Sequence, residues 1–362
     1  MNIFGNYLKI VIFGKSHDKY VGITLDGLPP GLKIDVESIA RYLGYRRPKP
    51  IINTARVERD EFEIIGGFNG LTDGTPLTIL IKNEDVRSND YDEIFIKPRP
   101  GHADYPAHVR YKGFNDSRGG GQFSGRMTAP LVAAGGLLAP LLEDAGIRCY
   151  SRVLSIGDIR DSNQYSLEQL ERRYDNDLRV LSAEAYSKMM ERILSVRREG
   201  DSIGGIVETV IYGLPVGLGE PFFSSMESEI SALAFSVPGI KGIEFGDGFQ
   251  GTLLKGSEFN DQLYLDNSGN ILLKSNHNGG INGGLSNGNP VVFRVAVRPT
   301  SSIPKAQNTV NLKEMKNETI VIKGRHDPCI VPRVVPIMES VACIAITDFL
   351  LAFNGGEIIG KN

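Results

Sequence analysis

The sequence predicts an α+β fold, and three observations carry that expectation. Strand-like and helix-like stretches come in clusters, without the regular strand–helix alternation of a doubly wound sheet. The 362 residues include 42 glycines and no tryptophan, the composition of a chain built with many tight turns. No low-complexity linker, charge-run tail or internal repeat divides it, so one large domain over residues 1–362 is the simplest organisation.

Taken in order, residues 7–13 (YLKIVIF) and 22–26 (GITLD) read as strands joined by a loop over Gly14–Tyr20. After Pro29, Pro30 and Gly31, Asp35 is the expected N-cap of a helix whose apolar face is Val36, Ile39, Ala40 and Leu43 and whose end is Tyr45-Arg46-Arg47-Pro48. Basic residues at a helix end also simply complement its dipole. Strands are expected at 61–66 and 76–82. Beyond Ser124, TAPLVAAGGLLAPLLEDAG predicts a small-residue, leucine-rich helix packed on several sides, broken or kinked at Pro140. A strand over 148–156 follows, then a capping-box helix at Ser166–Gln169, a longer helix over 182–198 closed by Gly200, a strand at 203–212, a helix at about 224–235, and strands near 240–245 and 291–297.

A net charge of −3 offers no long-range attraction to nucleic acid or to an anionic membrane, so anion binding must be local. The apolar stretch 331–353 contains Arg333, Pro336, Glu339 and Asp348, which makes it a buried helix and not a membrane span. The first residues lack a signal-peptide pattern, and Cys149, Cys329 and Cys343 have neither metal-ligand nor disulfide-framework spacing. A cytoplasmic protein without a metal is expected.

Chemistry concentrates in residues 97–128, which hold His102, His108, Arg99, Arg118, Arg126, Asp104, Asp116 and the triplet Gly119–Gly121 before a helical pattern. Glycines let backbone N–H groups approach an anion, and a helix start adds positive potential, so the stretch can cradle a phosphate or carboxylate. Four other glycine-rich or hydroxyl-rich turns carry similar groups: Gly14-Lys15-Ser16-His17, Ser275–Gly288 with His277, Arg298-Pro299-Thr300-Ser301-Ser302, and Gly324-Arg325-His326-Asp327-Pro328-Cys329 with Arg333. A lone histidine is more often a satisfied polar residue than a catalyst, and Asp327 before proline could merely start a turn. Five such clusters favour one shared site for a polyanionic ligand. No P-loop and no strand-GxGxxG-helix pattern occurs.

These words also carry a resemblance. GKSHDKYVGITLDGLPPGL, RPGHADY, SRGGGQFSGRMTA, GDSIGG, GLGEPFF, KGIEFGDGF, SNHNGGINGGLSNG, RPTSSI and GRHDPCIVPRVVP stand in the order and spacing of the chorismate synthases, so the chain resembles that family from residue 1 to about 350. The resemblance implies helices sandwiched between two antiparallel sheets, a homotetramer, and reduced FMN (FMNH2) as cofactor, supplied by an external reductant with NADP among the expected nucleotides. The implied reaction is the anti-1,4-elimination of phosphate from 5-enolpyruvylshikimate 3-phosphate, giving chorismate without net redox change.

By position, His17 matches the family residue that protonates the departing phosphate and His102 the one that keeps the flavin in its reactive protonation state, with Asp327 relaying the ring proton. Arg46, Arg47, Arg126 and Arg325 match the substrate-gripping arginines. Flavin contacts map to Gln122, Phe123, Ser124, Pro238, Gly239, Gly283, Arg298, Pro299, Thr300, Ser301, Ser302 and Arg325. The chain departs from the family at Lys15 (usually Glu), Asp18 (usually Gly), Gln122-Phe123 (in a loop usually reading Gly-Arg-Ser-Ser-Ala-Arg-Glu-Thr), Arg298 (usually Lys) and Ile51-Ile52, where a family arginine is missing. Gln122 and Phe123 motivate a second expectation, a diverged relative that binds flavin or a phosphorylated ligand as a regulator or scaffold without turnover.

Overall fold

The computed structural model describes residues 2–48, 59–83, 96–322 and 326–358. Arg325, Ile51 and Ile52 therefore lie outside the described residues. Two five-stranded sheets, antiparallel throughout, form the outer layers. The first runs Ile3–Phe4, Lys9–Gly14, Tyr20–Asp26, Leu77–Lys82, Phe62–Ile65 in spatial order; the second runs Ile240–Phe245, Val291–Val297, Gly205–Tyr212, Arg148–Ile156, Ile159–Arg160.

Alternation in the strands sets which face is buried. Val21, Ile23 and Leu25 and, across the pair, Leu77, Ile79 and Ile81 point inward with no exposed surface. Three helices lie between the sheets: Val36–Arg46, Thr128–Asp144 and Val331–Phe353. Their contact is close because the middle helix carries glycines where its neighbours approach. A Cβ at Gly135 would sit 2.2 Å from Ser340 Oγ of the third helix, and one at Gly136 would sit 2.9 Å from Ile39 Cα of the first. Both Gly125–Asp144 and Val331–Phe353 are long and apolar enough to cross a membrane, but 89% and 100% of their apolar windows are buried inside the protein. They are core helices.

Several expectations need correction. Asp35 does cap the first helix, accepting from Ser38 N–H at 3.1 Å, but the buried face is Ser38, Ile39, Tyr42, Leu43 and Arg46. Val36 is 41% exposed and Ala40 also faces out. The sequence pattern favoured apolar residues, whereas tertiary packing turned the helix so that an arginine goes inside. The middle helix is not broken at Pro140 but runs through it to Asp144, the proline forfeiting its own N–H bond to the Gly136 carbonyl. The elements that were not legible include the helix Asp104–Arg110 inside the central loop and the polar hairpin Ala306–Asn311/Lys316–Val321.

Candidate active site

Four of the five clusters meet in a closed ring of contacts. Ser16 N–H donates to the Gly121 carbonyl at 3.2 Å, bringing the His17 turn against the glycine triplet. A Cβ at Gly119 would lie 2.8 Å from His17 Nε2, and one at Gly120 would lie 3.3 Å from His102 Nε2. Both glycines have positive φ, 59° and 84°, so a side chain here would be strained as well as crowded. Since consecutive Cα atoms are 3.80 Å apart, the two Nε2 atoms lie within roughly 13 Å of each other. The two imidazoles share one loop.

From His102 the ring continues through Arg99. Arg99 grips Asp104 with two nitrogens, Nε to Oδ2 at 2.7 Å and Nη2 to Oδ1 at 2.9 Å, and donates from Nη1 to Ser302 Oγ at 3.3 Å. Gly101 abuts the same loop, its Cβ position 3.6 Å from Ser301 Cβ and 3.9 Å from Arg298 Nη1. Thr300 Oγ1 then donates to the Asp327 carbonyl at 3.0 Å, and Arg333 Nη1 pairs with Asp327 Oδ2 at 3.0 Å. Arg333 Nε reaches the Arg46 carbonyl at 3.3 Å; Arg46 donates to Thr128 Oγ1 at 3.1 Å and to the Gly125 carbonyl at 3.4 Å, which leads back along the chain to Gly121.

Asp104 was missed as a site residue, although its place two residues after His102 was a usable signal. Its Oδ1 lies 2.6 Å from His102 Nδ1, which orients the ring with Nε2 toward Gly120. Burial alone would raise the Asp104 carboxyl, but hydrogen bonds from Arg99 and His102 outweigh it and hold the group well below the usual carboxylate range. A depressed carboxylate adds stability that is present above its unfolded pKa of about 4 and is lost as pH falls toward its lower folded value. Urea unfolding at pH 6 and pH 3 should therefore show a loss of stability in acid that is smaller in Asp104→Asn; an unchanged pH dependence would contradict this.

At the rim, Lys15 Nζ lies 3.6 Å from Asp18 and 3.5 Å from Asp116, so two of the unusual residues pair with each other. Arg118 binds Asp116 with two nitrogens, at 2.9 and 2.7 Å, and this contact holds the Asp116 carboxyl at about 2. Lys15 thus joins the His17 turn to the loop before the glycine triplet. Burial pushes the Cys329 thiol up to about 12, leaving it a neutral packing group beside Asp327.

The expected substrate arginines that the structure describes lie in different settings. Arg46 and Arg126, 1% and 6% exposed, both turn onto the buried carboxylate of Asp60, and Arg126 also donates to Asn83 Oδ1 at 2.7 Å and to the Lys82 carbonyl at 3.0 Å. As placed, they form a charged floor beneath the Gly125–Thr128 turn and do not reach into open space. Arg47 lies at the exposed helix end, donating to the Arg59 carbonyl. Gln122, Phe123 and Ser124 follow the triplet directly, with Ser124 Oγ accepting from Arg126 N–H at 3.3 Å. Pro238 and Gly239 are tied to the ring through Arg298, whose N–H donates to the Gly239 carbonyl at 2.9 Å.

A Cβ at Gly283 would meet nothing within 4 Å, so this position borders open space. It sits at the tip of the Ile281–Asn282/Leu285–Ser286 hairpin beside the helix Met226–Ser236, with Met226 N–H donating to the Gly284 carbonyl at 3.1 Å. The Ser275–Asn278 turn is held by its own polar contacts. Asp261 accepts from Ser275 Oγ and from the backbone of His277 and Asn278, and His277 Nδ1 lies 2.6 Å from Asp247. No group of histidine, cysteine and carboxylate side chains among the described residues could hold a metal.

Two imidazoles set among guanidinium groups, hydroxyls and close backbone are the equipment of an enzyme that handles a small polyanion. A family model described as chorismate synthase matches residues 8–351. Curated chorismate synthases from Korarchaeum cryptofilum (44% identical over 99% of each chain), Pyrococcus abyssi (44%, covering 96% of this chain and 97% of the relative) and Synechocystis (45%, 98% of each) align along nearly the whole length. A crystal structure of chorismate synthase superposes with a TM-score of 0.77 at 26% identity, covering 97% of this chain and 94% of the other. The chain belongs to the chorismate synthase family. It is a carbon–oxygen lyase that eliminates phosphate from 5-enolpyruvylshikimate 3-phosphate to give chorismate. Nothing in the comparisons favours the non-catalytic alternative.

Proposed function

We propose that the ring of loops is the site of this elimination and that reduced FMN is its cofactor. The single observation that carries the proposal is the contact path joining His17 and His102, through Gly119 and Gly120, to the 298–302 loop and Asp327. The difficulty of the reaction is that phosphate must leave an allylic carbon while an unactivated ring C–H bond breaks. When bound, reduced flavin lends electron density to the substrate transiently and takes it back.

The residues present fit such a group. Burial lowers the pKa of Arg298, the mark of a cation short of a counter-charge, and among the described residues its guanidinium donates only to the Pro299 carbonyl at 3.1 Å. Thr300, Ser301, Ser302 and Ser124 supply hydroxyls, and Gln122 an amide. His17 Nε2 protonates the departing phosphate, and His102 Nε2 holds or yields a proton on the cofactor side, its other nitrogen fixed by Asp104. Asp327, held by Arg333, helps relay the ring proton. Arg46 and Arg126 act from beneath as fixed positive charge, while Arg47 and Arg325 complete the grip on substrate.

Anaerobic mixing of the protein with dithionite-reduced FMN and the enolpyruvyl substrate tests the proposal: chorismate absorbance should rise, whereas flavin binding without product would overturn it. Arg298→Gln should raise the Kd for reduced FMN about tenfold or more, as expected for one charge-assisted hydrogen bond, read from a flavin absorbance titration. A single unit over residues 1–362, a homotetramer, an external flavin reductant and a cytoplasmic location belong to the same proposal. Sedimentation of the purified chain measures the tetramer.

A further inference from the structure

We infer that Asn83 is a positioning residue that sets the imidazole of His17, an inference that rests on the assignment of His17 to proton transfer. Asn83 lies one residue beyond the strand Leu77–Lys82, and its N–H donates to the Lys19 carbonyl at 3.1 Å, which fixes its backbone beside the next strand's start. Its side chain then works in two directions. Nδ2 donates to the Asp18 carbonyl at 2.7 Å and to the Lys15 carbonyl at 3.3 Å, while Oδ1 accepts from Arg126 Nε at 2.7 Å.

The two carbonyls bracket His17. Asp18 N–H donates back to the Lys15 carbonyl at 3.1 Å, so Lys15–Asp18 is a closed turn, and the carboxamide clamps it at both ends. The same turn meets the glycine triplet, through Ser16 N–H and Gly119. Asn83 thus clamps the turn that carries His17, and Gly119 meets its imidazole. Arg126, the anchor of the clamp, is itself fixed by Asp60 and the Lys82 carbonyl. Only one orientation of the amide satisfies all partners, oxygen toward the guanidinium and nitrogen toward the two carbonyls.

Asparagine is suited to this place because it alone, at this length, both accepts from a cation and donates to two carbonyl oxygens. Aspartate keeps the acceptor for Arg126 but sets a carboxylate against two carbonyls, and leucine keeps the size and loses every bond. Either change frees the turn that carries His17. Misplacing a reacting group by about 1 Å costs up to about 100-fold in rate.

The test is a double-mutant cycle with a spectroscopic readout. Asn83→Asp and Asn83→Leu are each combined with His17→Ala, turnover is measured anaerobically with reduced FMN, and the His17 ring resonance is titrated by NMR. Each Asn83 variant alone should lower kcat between about 10-fold and 100-fold with much less change in KM, and should add little to the loss already caused by His17→Ala. The His17 resonance and its titration midpoint should move, and those of His102 should not. Equal losses in the presence and absence of His17, or an unmoved His17 resonance in both variants, overturn the clamp. Wild-type turnover by His17→Ala alone overturns the assignment of His17 itself, and the two failures are thereby distinguished.

Discussion

Replacing His102 by alanine is expected to lower kcat at least tenfold, and by as much as about 10⁴-fold if the imidazole moves a proton in the rate-limiting step. The fold should survive. Asp104 keeps its two bonds to the Arg99 guanidinium when the ring is removed, and Arg99 keeps Ser302, so no buried charge loses its partner. Circular dichroism and the thermal midpoint should stay close to those of the unaltered protein. Asp104→Asn is expected to fall between the two, because the ring remains but Nδ1 no longer faces a carboxylate. Near-normal turnover by His102→Ala would remove this residue from the mechanism.

The second large effect concerns stability. Asp60→Ala should cost about 3–5 kcal/mol, since it withdraws the buried carboxylate shared by Arg46 and Arg126. At a few degrees per kcal/mol for a chain of this size, the thermal midpoint should fall on the order of 10 °C. Asp60 also holds a left-handed backbone, φ 53°, which a protein tolerates only where surrounding contacts enforce it. A midpoint within about 2 °C of the unaltered protein would show that the arginines have other sufficient partners and that the floor of the site does not depend on this carboxylate.

How much of this was legible in the sequence depended on where each residue's partner lies. The strand Arg148–Ile156 and the capped helix starting after Ser166 follow from local patterns, and both stand with the expected bounds or cap. The Ala306–Asn311/Lys316–Val321 hairpin escaped because its strands are polar and mostly exposed, leaving no hydrophobic alternation to detect. Asp104–Arg110 escaped because Pro106 and the flanking glycines resemble loop, although proline is well tolerated in a first helical turn.

The same reasoning applies to the site. His17, His102, Asp327 and the 298–302 turn could be singled out because glycine words and titratable groups coincide. Burial of Arg46 and Arg126 could not, because it depends on Asp60, which is 14 residues from one and 66 from the other in sequence. Asn83 carried no signal at all. A single carboxamide at a strand end becomes informative only when the carbonyls of residues 15 and 18 and the guanidinium of residue 126 converge on it.

The central claim is that His17 and His102 serve one pocket shared with the 298–302 loop. A crystal structure of the protein with FMN and the enolpyruvyl substrate is its most direct test. The account predicts flavin lying along residues 298–302 with His102 Nε2 at hydrogen-bond distance, and the substrate phosphate on the His17 side of the glycine triplet. Flavin bound instead at the Ser275–Asn278 turn, or the phosphate held away from both imidazoles, would contradict it.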